Sequence, residues 1–245
     1  MKTNFDEKFM HDAIQLAEQG RFSTHPNPSV GSVVVKDGEI VGKGFHLRAG
    51  LKHAEINALE QAGVRSRGST LYVTLEPCSF KGRTPACAKA IINAGVDRVV
   101  VGTIDPDPRN SGRGIMMLRD AGVKVVTDCL EAETRKFEKG HVKRFLYGRP
   151  FVRLKLAMSL DGKTALSDGH SKWITSEKAR SDVQKLRAMS SAIVTGVGTI
   201  LHDNPSLSVR LQDPDFPNHR EAISVERPIY VLDPRLRIPL HSKVL

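Results

Sequence analysis

Cysteine is scarce, with three in 245 residues, too few to staple a chain of this size with a disulfide framework. Aromatic stacking surface is also thin: three tyrosines and one tryptophan make a poor platform for unpaired bases. No apolar run reaches the roughly 20 residues of a membrane span. The N-terminal segment MKTNFDEKFMHDAIQLAEQG mixes both charge signs with apolar residues at Phe5, Phe9, Ala13, Leu16 and Ala17, so it reads as an amphipathic helix, not a signal peptide. Internal repeats and low-complexity tracts are absent, and lysine and arginine are scattered, with no pure basic block. These absences disfavour secreted, membrane and nucleic-acid-binding classes and lead us to expect a soluble cytoplasmic protein.

What is present is ordinary globular material, 40% hydrophobic and 26% charged, enough for one large or two medium domains. The formal net charge of +10 calls for anionic partners, among which a phosphorylated small molecule ranks above nucleic acid or a membrane surface. Strand and helix signals alternate in the first part. SVVVK (32–36) and EIVGKGF (39–45), joined through Asp37-Gly38, read as a β-hairpin with a tight turn. Helix-like HAEINALEQAG, the strand TLYVTL (70–75), a helix near 86–94, the strand DRVVVG, the helix IMMLRDAG and the strand VKVVT follow. Gly95, Gly102 and Gly122 fall where elements should stop. This pattern predicts a layered α/β sandwich around one sheet.

A boundary is expected near Gly148–Pro150, giving domains 1–147 and 148–245. The alternating apolar residues of FVRLKLAMSLDG suggest the first strand of a second sheet, followed by the helix SEKARSDVQKLRAMS and the strands SAIVTG and PIYVLD. Under a hundred residues are few for a complete dinucleotide-binding reductase, so the second α/β domain is expected to be incomplete.

The chemistry concentrates in HAE, at His53–Glu55, and EPCSFKGRTPAC, at Glu76–Cys87. His53 as neutral imidazole with Cys78 and Cys87 as thiolates would give three ligands of tetrahedral zinc, leaving a fourth position open. Glu55, two residues beyond His53, would stay off the metal and carry protons. Alone, the histidine could be a helix cap and the cysteines core thiols. Together they match the His, Glu and paired-Cys signature of the zinc nucleobase deaminases; a purely structural zinc site would want a fourth protein ligand. Cys129, in VVTDCLEAE, stands far from the other two cysteines in sequence and reads as an ordinary buried or half-buried thiol. Between Cys78 and Cys87 stand eight residues, SFKGRTPA, carrying Lys81 and Arg83. They form either a solvated basic turn or a cationic rim for a phosphate.

THPNPSVG (24–31), HAE, TLEPCSFKGRTPAC and DPDPRNSGRGIMMLRDAGVKV resemble the deaminase half of the bifunctional riboflavin biosynthesis deaminase-reductases. VRLKLAMSLDGKTA, SKWITS and GVGTILHDNPSLSVR resemble the reductase half. The eight-residue cysteine spacing is typical of that family and foreign to tRNA adenosine deaminases. The resemblance implies a cytidine-deaminase-like three-layer α/β/α domain followed by a dihydrofolate-reductase-like α/β domain. It also implies Zn2+ and NADPH as cofactors and a phosphorylated pyrimidine as substrate, with no nucleic-acid or membrane partner, in a homo-oligomer.

Carried over residue by residue, the resemblance implies His53, Cys78 and Cys87 as zinc ligands and Glu55 as the catalytic proton shuttle. Asn27, Arg83 and Asp105 are its implied substrate contacts in the first half, with Ser171, Arg187, Leu207 and Arg210 in the second. Ala157, Trp173, Thr199 and Asp203 are its implied NADPH contacts. Asp107 stands where the family frequently has an amide, in DPNP. Lys155 and Asp161 are candidates for orienting or protonating roles. A chain of 245 residues and no more is expected to deaminate with weak or absent reduction; a tRNA or nucleobase deaminase and a noncatalytic zinc-stabilised binding protein are the rival readings.

Overall fold

The computed structural model describes residues 4–210 and 218–245. The chain divides into two compact units, 1–151 and 152–245. In the first, helix α1 (Asn4–Gly20) leads to strands β1 (Gly31–Lys36) and β2 (Glu39–Phe45), helix α2 (Ala54–Ala62), strand β3 (Thr70–Leu75), helix α3 (Cys87–Asn93) and strand β4 (Arg98–Thr103). Helix α4 (Arg113–Asp120), strand β5 (Lys124–Val126) and helices α5 (Glu131–Phe137) and α6 (Lys139–Tyr147) complete it.

The strands form one sheet in the order β2-β1-β3-β4-β5. β1 is antiparallel to both β2 and β3, and β3, β4 and β5 run parallel. The hairpin turn falls at Asp37-Gly38 as expected, both residues having positive φ, 51° and 82°, the backbone a type I′ turn needs. Side chains alternate across the sheet with period two. Val34, Leu71, Val73, Val99 and Val101 face α2, α3 and α4, whereas Val33, Val35, Tyr72 and Val100 face α1 together with Cys129. Helices therefore cover both faces, giving three layers. Cys129 is fully buried in the second of these cores, as an ordinary thiol should be.

The buried stripe of α1 differs from the one its apolar spacing suggests. Phe5 is exposed, while Asp6 is buried beneath Tyr72 and Arg98. Arg98 grips the Asp6 carboxylate with two nitrogens, at 2.7 and 2.8 Å, and the Tyr72 hydroxyl donates to it at 3.0 Å. A bidentate charge-assisted pair makes the burial of Asp6 tolerable, and it turns the helix so that Phe9, Met10, Ala13, Ile14 and Ala17 face inward. Gly95 and Gly122 follow α3 and α4 with positive φ, as helix-stop glycines do. Gly102 is no stop signal: it lies inside β4, where a Cβ would come within 2.5 Å of the Thr134 methyl.

The second unit contains helix α7 (Glu177–Ala188), strand β6 (Ile193–Gly196), and helices α8 (Val197–Asp203) and α9 (His219–Ser224). Strand β7 (Ile229–Leu232) lies parallel to β6. Ser176 caps α7, its hydroxyl accepting from the Ala179 N–H. Half-buried Arg227 donates to the carbonyls of Ala188, Ser190, Ala222 and Val225, tying the end of α7 to α9. The strand expected in FVRLKLAMSLDG is not formed among the described residues. Its Val152, Leu154, Leu156 and Met158 are all exposed, because alternation makes a strand only where a neighbouring strand supplies the ladder, and β6 and β7 pair with each other.

Candidate active site

The site gathers at the carboxyl ends of the parallel strands β3 and β4, where open α/β sheets place ligands. β2 and α2 meet through two glycines. A Cβ on Gly42 or Gly44 would come within 2.1 or 2.2 Å of an α2 carbonyl, so the bare backbone lets the helix lie close to the sheet. That contact fixes His53 at the start of α2 and Glu55 in its first turn. Cys78 leaves the end of β3, and Cys87 is the first residue of α3.

Their ligand atoms converge within 4.8 Å of one another. His53 Nδ1 lies 3.8 Å from Cys78 Sγ and 3.3 Å from Cys87 Sγ, and its Nε2 is 3.2 Å from the Thr84 hydroxyl. Thr84 thus orients the ring with Nδ1 toward the sulfurs, as a partner of a metal-bound histidine does. The Cys87 N–H donates to Cys78 Sγ at 3.2 Å. Hydrogen bonding from Cys87, aided by His53, brings the Cys78 thiol down to about 4. The neighbouring Cys78 and burial hold the Cys87 thiol well above its ordinary value, and the hydrogen bond to Cys78 raises His53. One imidazole and two thiols, one already a thiolate, are a donor set that suits zinc. No fourth His, Cys, Asp or Glu joins them among the described residues.

Glu55 is buried next to Cys87 and is not one of the three grouped ligands. Burial, with Cys78 adding, pushes its carboxyl up to about 7, where a group can both take and give a proton at neutral pH.

His53, Glu55, Cys78 and Thr84 line a cavity of about 390 Å³, with Cys87 buried behind them. Asn27, Glu76, Phe80, Arg83, Asp105, Asp107, Arg109 and His141 complete most of its wall. Asn27 Nδ2 lies 3.0 Å from His46 Nε2, and His46 Nδ1 lies 3.0 Å from the Lys52 carbonyl. Arg83 reaches the rim; Lys81 is exposed and outside the lining. The Asp107 side chain does not donate: Arg109 donates to its carboxylate through the guanidinium and the backbone N–H, holding it below its usual range. The structure thus brings together every residue expected in the first-half site: Asn27, His53, Glu55, Cys78, Arg83, Cys87 and Asp105.

Sequence reasoning missed Thr84, His46, Glu76, Arg109 and His141. Glu76 precedes Pro77-Cys78 and looks like part of the motif's edge. It accepts from the N–H groups of Asp105, Gly112, Gly114 and Ile115, so it satisfies the start of α4 and anchors the Asp105 loop. Nothing in the spacing marks His141, which lies 36 residues from Asp105 along the chain.

In the second unit, burial and the charge of Arg210 lower the pKa of Arg187, whose Nη1 has no hydrogen-bond partner. The two guanidiniums are thus near enough for their charges to interact. Arg210 also donates to the Ser206 hydroxyl, and its N–H to Gln184. Ser171 and Leu207 are half-buried. Thr199 and Asp203 lie one turn apart on α8, both exposed; Ala157 and Trp173 precede α7, with Arg180 over the Trp173 ring at 4.3 Å. Lys155 is exposed, and Asp161 accepts from the Ser159 hydroxyl.

Comparison with known proteins divides the chain in the same sense. Residues 3–103 match the cytidine and deoxycytidylate deaminase zinc-binding region, and residues 150–245 match the RibD C-terminal domain. The chain is 53% identical over 210 residues to the riboflavin biosynthesis protein RibD of Escherichia coli, covering 86% of this chain and 57% of that one. With the Aquifex aeolicus protein of the same name it shares 45% over 245 residues, 100% of this chain and 66% of that one. Among solved structures, Acinetobacter baumannii RibD superposes with a TM-score of 0.91 at 46% identity, covering 98% of this chain and 66% of the other. A Thermotoga maritima diaminohydroxyphosphoribosylaminopyrimidine deaminase/5-amino-6-(5-phosphoribosylamino)uracil reductase superposes at 0.82 with 43% identity, covering 94% and 63%. The chain therefore spans between 57% and 66% of these relatives' lengths.

Proposed function

The chain belongs to the RibD family of riboflavin biosynthesis proteins, and from that membership together with the site we propose two activities. The first unit hydrolytically deaminates 2,5-diamino-6-(5-phosphoribosylamino)pyrimidin-4(3H)-one to the corresponding uracil, consuming water and releasing ammonia. The second unit serves the NADPH-dependent reduction of the ribosyl group to a ribityl chain.

The observation that carries the deaminase reading is the His53–Cys78–Cys87 triangle with Glu55 buried beside it. Zinc held there would supply Lewis acidity that makes hydroxide available near neutral pH. Glu55 takes one proton from the attacking water and gives it to the ring nitrogen, then carries the water's second proton to the amine, which leaves as ammonia as the C=O bond forms. Its carboxyl, lifted to about 7, is matched to both transfers. Asn27 and Asp105 orient the pyrimidine from the wall, and the Arg83 guanidinium meets the phosphate at the rim. The eight residues between the cysteines thus supply Arg83 to the substrate and Thr84 to His53.

For the second unit, Arg187 and Arg210 clamp the substrate phosphate, with Ser171 and Leu207 beside them. Ala157, Trp173, Thr199 and Asp203 hold NADPH, which supplies the hydride when bound. The reducing cytoplasm, which keeps Cys78 and Cys87 as thiols, is the compartment that suits the protein.

Glu55→Gln tests this reading. Ammonia release should fall on the order of 10²–10⁴-fold, the contribution of a positioned proton carrier, with zinc content unchanged by elemental analysis. NADPH oxidation on the already deaminated pyrimidine should stay at the parent's rate. A variant that deaminates as fast as the parent would remove Glu55 from the chemistry.

A further inference from the structure

Besides Glu55, three carboxylates line the cavity, and they differ in what they have left to give. Glu76 accepts from four backbone N–H groups, and Asp107 is saturated by Arg109. Asp105 Oδ1 accepts from the Asp107 N–H at 2.9 Å and from His141 Nε2 at 2.8 Å, and its Oδ2 accepts from Asn110 Nδ2 at 3.2 Å. A carboxylate offers about four acceptor positions, so one remains, on Oδ2, for a donor entering the cavity.

His141 is the donor in this set that comes from outside the 105–110 loop. It arrives from the first turn of α6, and its side chain and that of Asp105 are only 16% and 13% exposed. Because a carboxylate oxygen only accepts, Nε2 of His141 carries the proton and donates. The ring is itself held: Phe145, one turn on, packs edge-on with centroids 4.8 Å apart. Behind it, the buried Glu138 closes the helix start, its carbonyl accepting from the Val142 N–H at 2.7 Å. A residue of α6, outside the 105–110 loop, thus fixes one oxygen of Asp105.

We propose that His141 is a positioning residue of the deamination site. By holding Asp105 Oδ1 it aims the free position of Oδ2 at an N–H of the pyrimidine. This inference rests on the deaminase reading of the cavity. His141 touches no zinc-ligand candidate in the contacts described above, so its effect falls on substrate affinity, not on the metal or the proton transfers.

The test compares His141→Phe, which fills the space without a donor, with His141→Gln, which keeps an N–H, by steady-state ammonia release from the diaminopyrimidine ribosyl phosphate. His141→Phe should raise KM about tenfold or more, the size of one charge-assisted hydrogen bond, with kcat within about threefold as for lost substrate positioning. Zinc content should be unchanged, and His141→Gln should restore most of the affinity. An unchanged KM in His141→Phe, or equal losses of kcat and zinc in both variants, would overturn the proposal while leaving the deaminase reading intact. No ammonia release from the unchanged protein would instead sink the deaminase reading, and this proposal with it.

Discussion

Burial of the Glu138 carboxyl, with Asp105 nearby, raises its pKa from 4.5 to about 8, although the Ser29 N–H bonds to it. One of its oxygens has no hydrogen-bond partner, so ionisation leaves a charge that the surroundings do not meet. The folded state then holds this proton where the unfolded chain has lost it. The contribution of Glu138 to stability is greatest below about pH 4.5, falls as pH rises toward 8, and is fully lost above that. Glu138→Gln keeps the shape and removes the titration. Its melting temperature relative to the parent should therefore climb between pH 5 and pH 9 in a thermal series at fixed salt. A difference that stays flat with pH would show that Glu138 ionises as easily when folded as when unfolded.

Among the elements, α2 carries the most chemistry for its length, and its seat on β2 is made by absent side chains. Gly44→Ala would drive a methyl to 2.2 Å from the Ala54 carbonyl and 2.6 Å from the Ala58 nitrogen, both rigid backbone. Overpacking of this kind costs about 1–3 kcal/mol or more, and it displaces the turn bearing His53 and Glu55, so zinc affinity should fall together with stability. Gly140→Ala, inside α6 with open space around it and no positive φ, should stabilise by about 0.4–1 kcal/mol. Denaturant unfolding of the pair separates the effects; equal and small changes would mean that α2 is not seated by its glycines. The element pattern was largely legible beforehand, because strands such as TLYVTL are apolar on both faces and their helices start and stop at marked residues. Two features were not. The inward face of α1 depends on Asp6 meeting Arg98, 92 residues away, and the strand expected at 151–162 depends on a pairing partner that no local pattern reveals.

At the scale of the molecule, the proposed function gives each unit its own chemistry in a two-step conversion, deamination in the first and reduction in the second. The triangle of His53, Cys78 and Cys87 was legible because short motifs fix those residues near helix and strand ends. Arg109 and His141 were not, since they reach the cavity only through the tertiary path of the Asp105 loop and α6. On the proposed function, specificity is likewise a property of the whole cavity of about 390 Å³, with Arg83 at its rim. The most direct measurement is ammonia release by the zinc-loaded chain from the diaminopyrimidine ribosyl phosphate, from cytidine and from tRNA, side by side. The account predicts ammonia from the first and none above background from the other two. Ammonia from tRNA alone would contradict it.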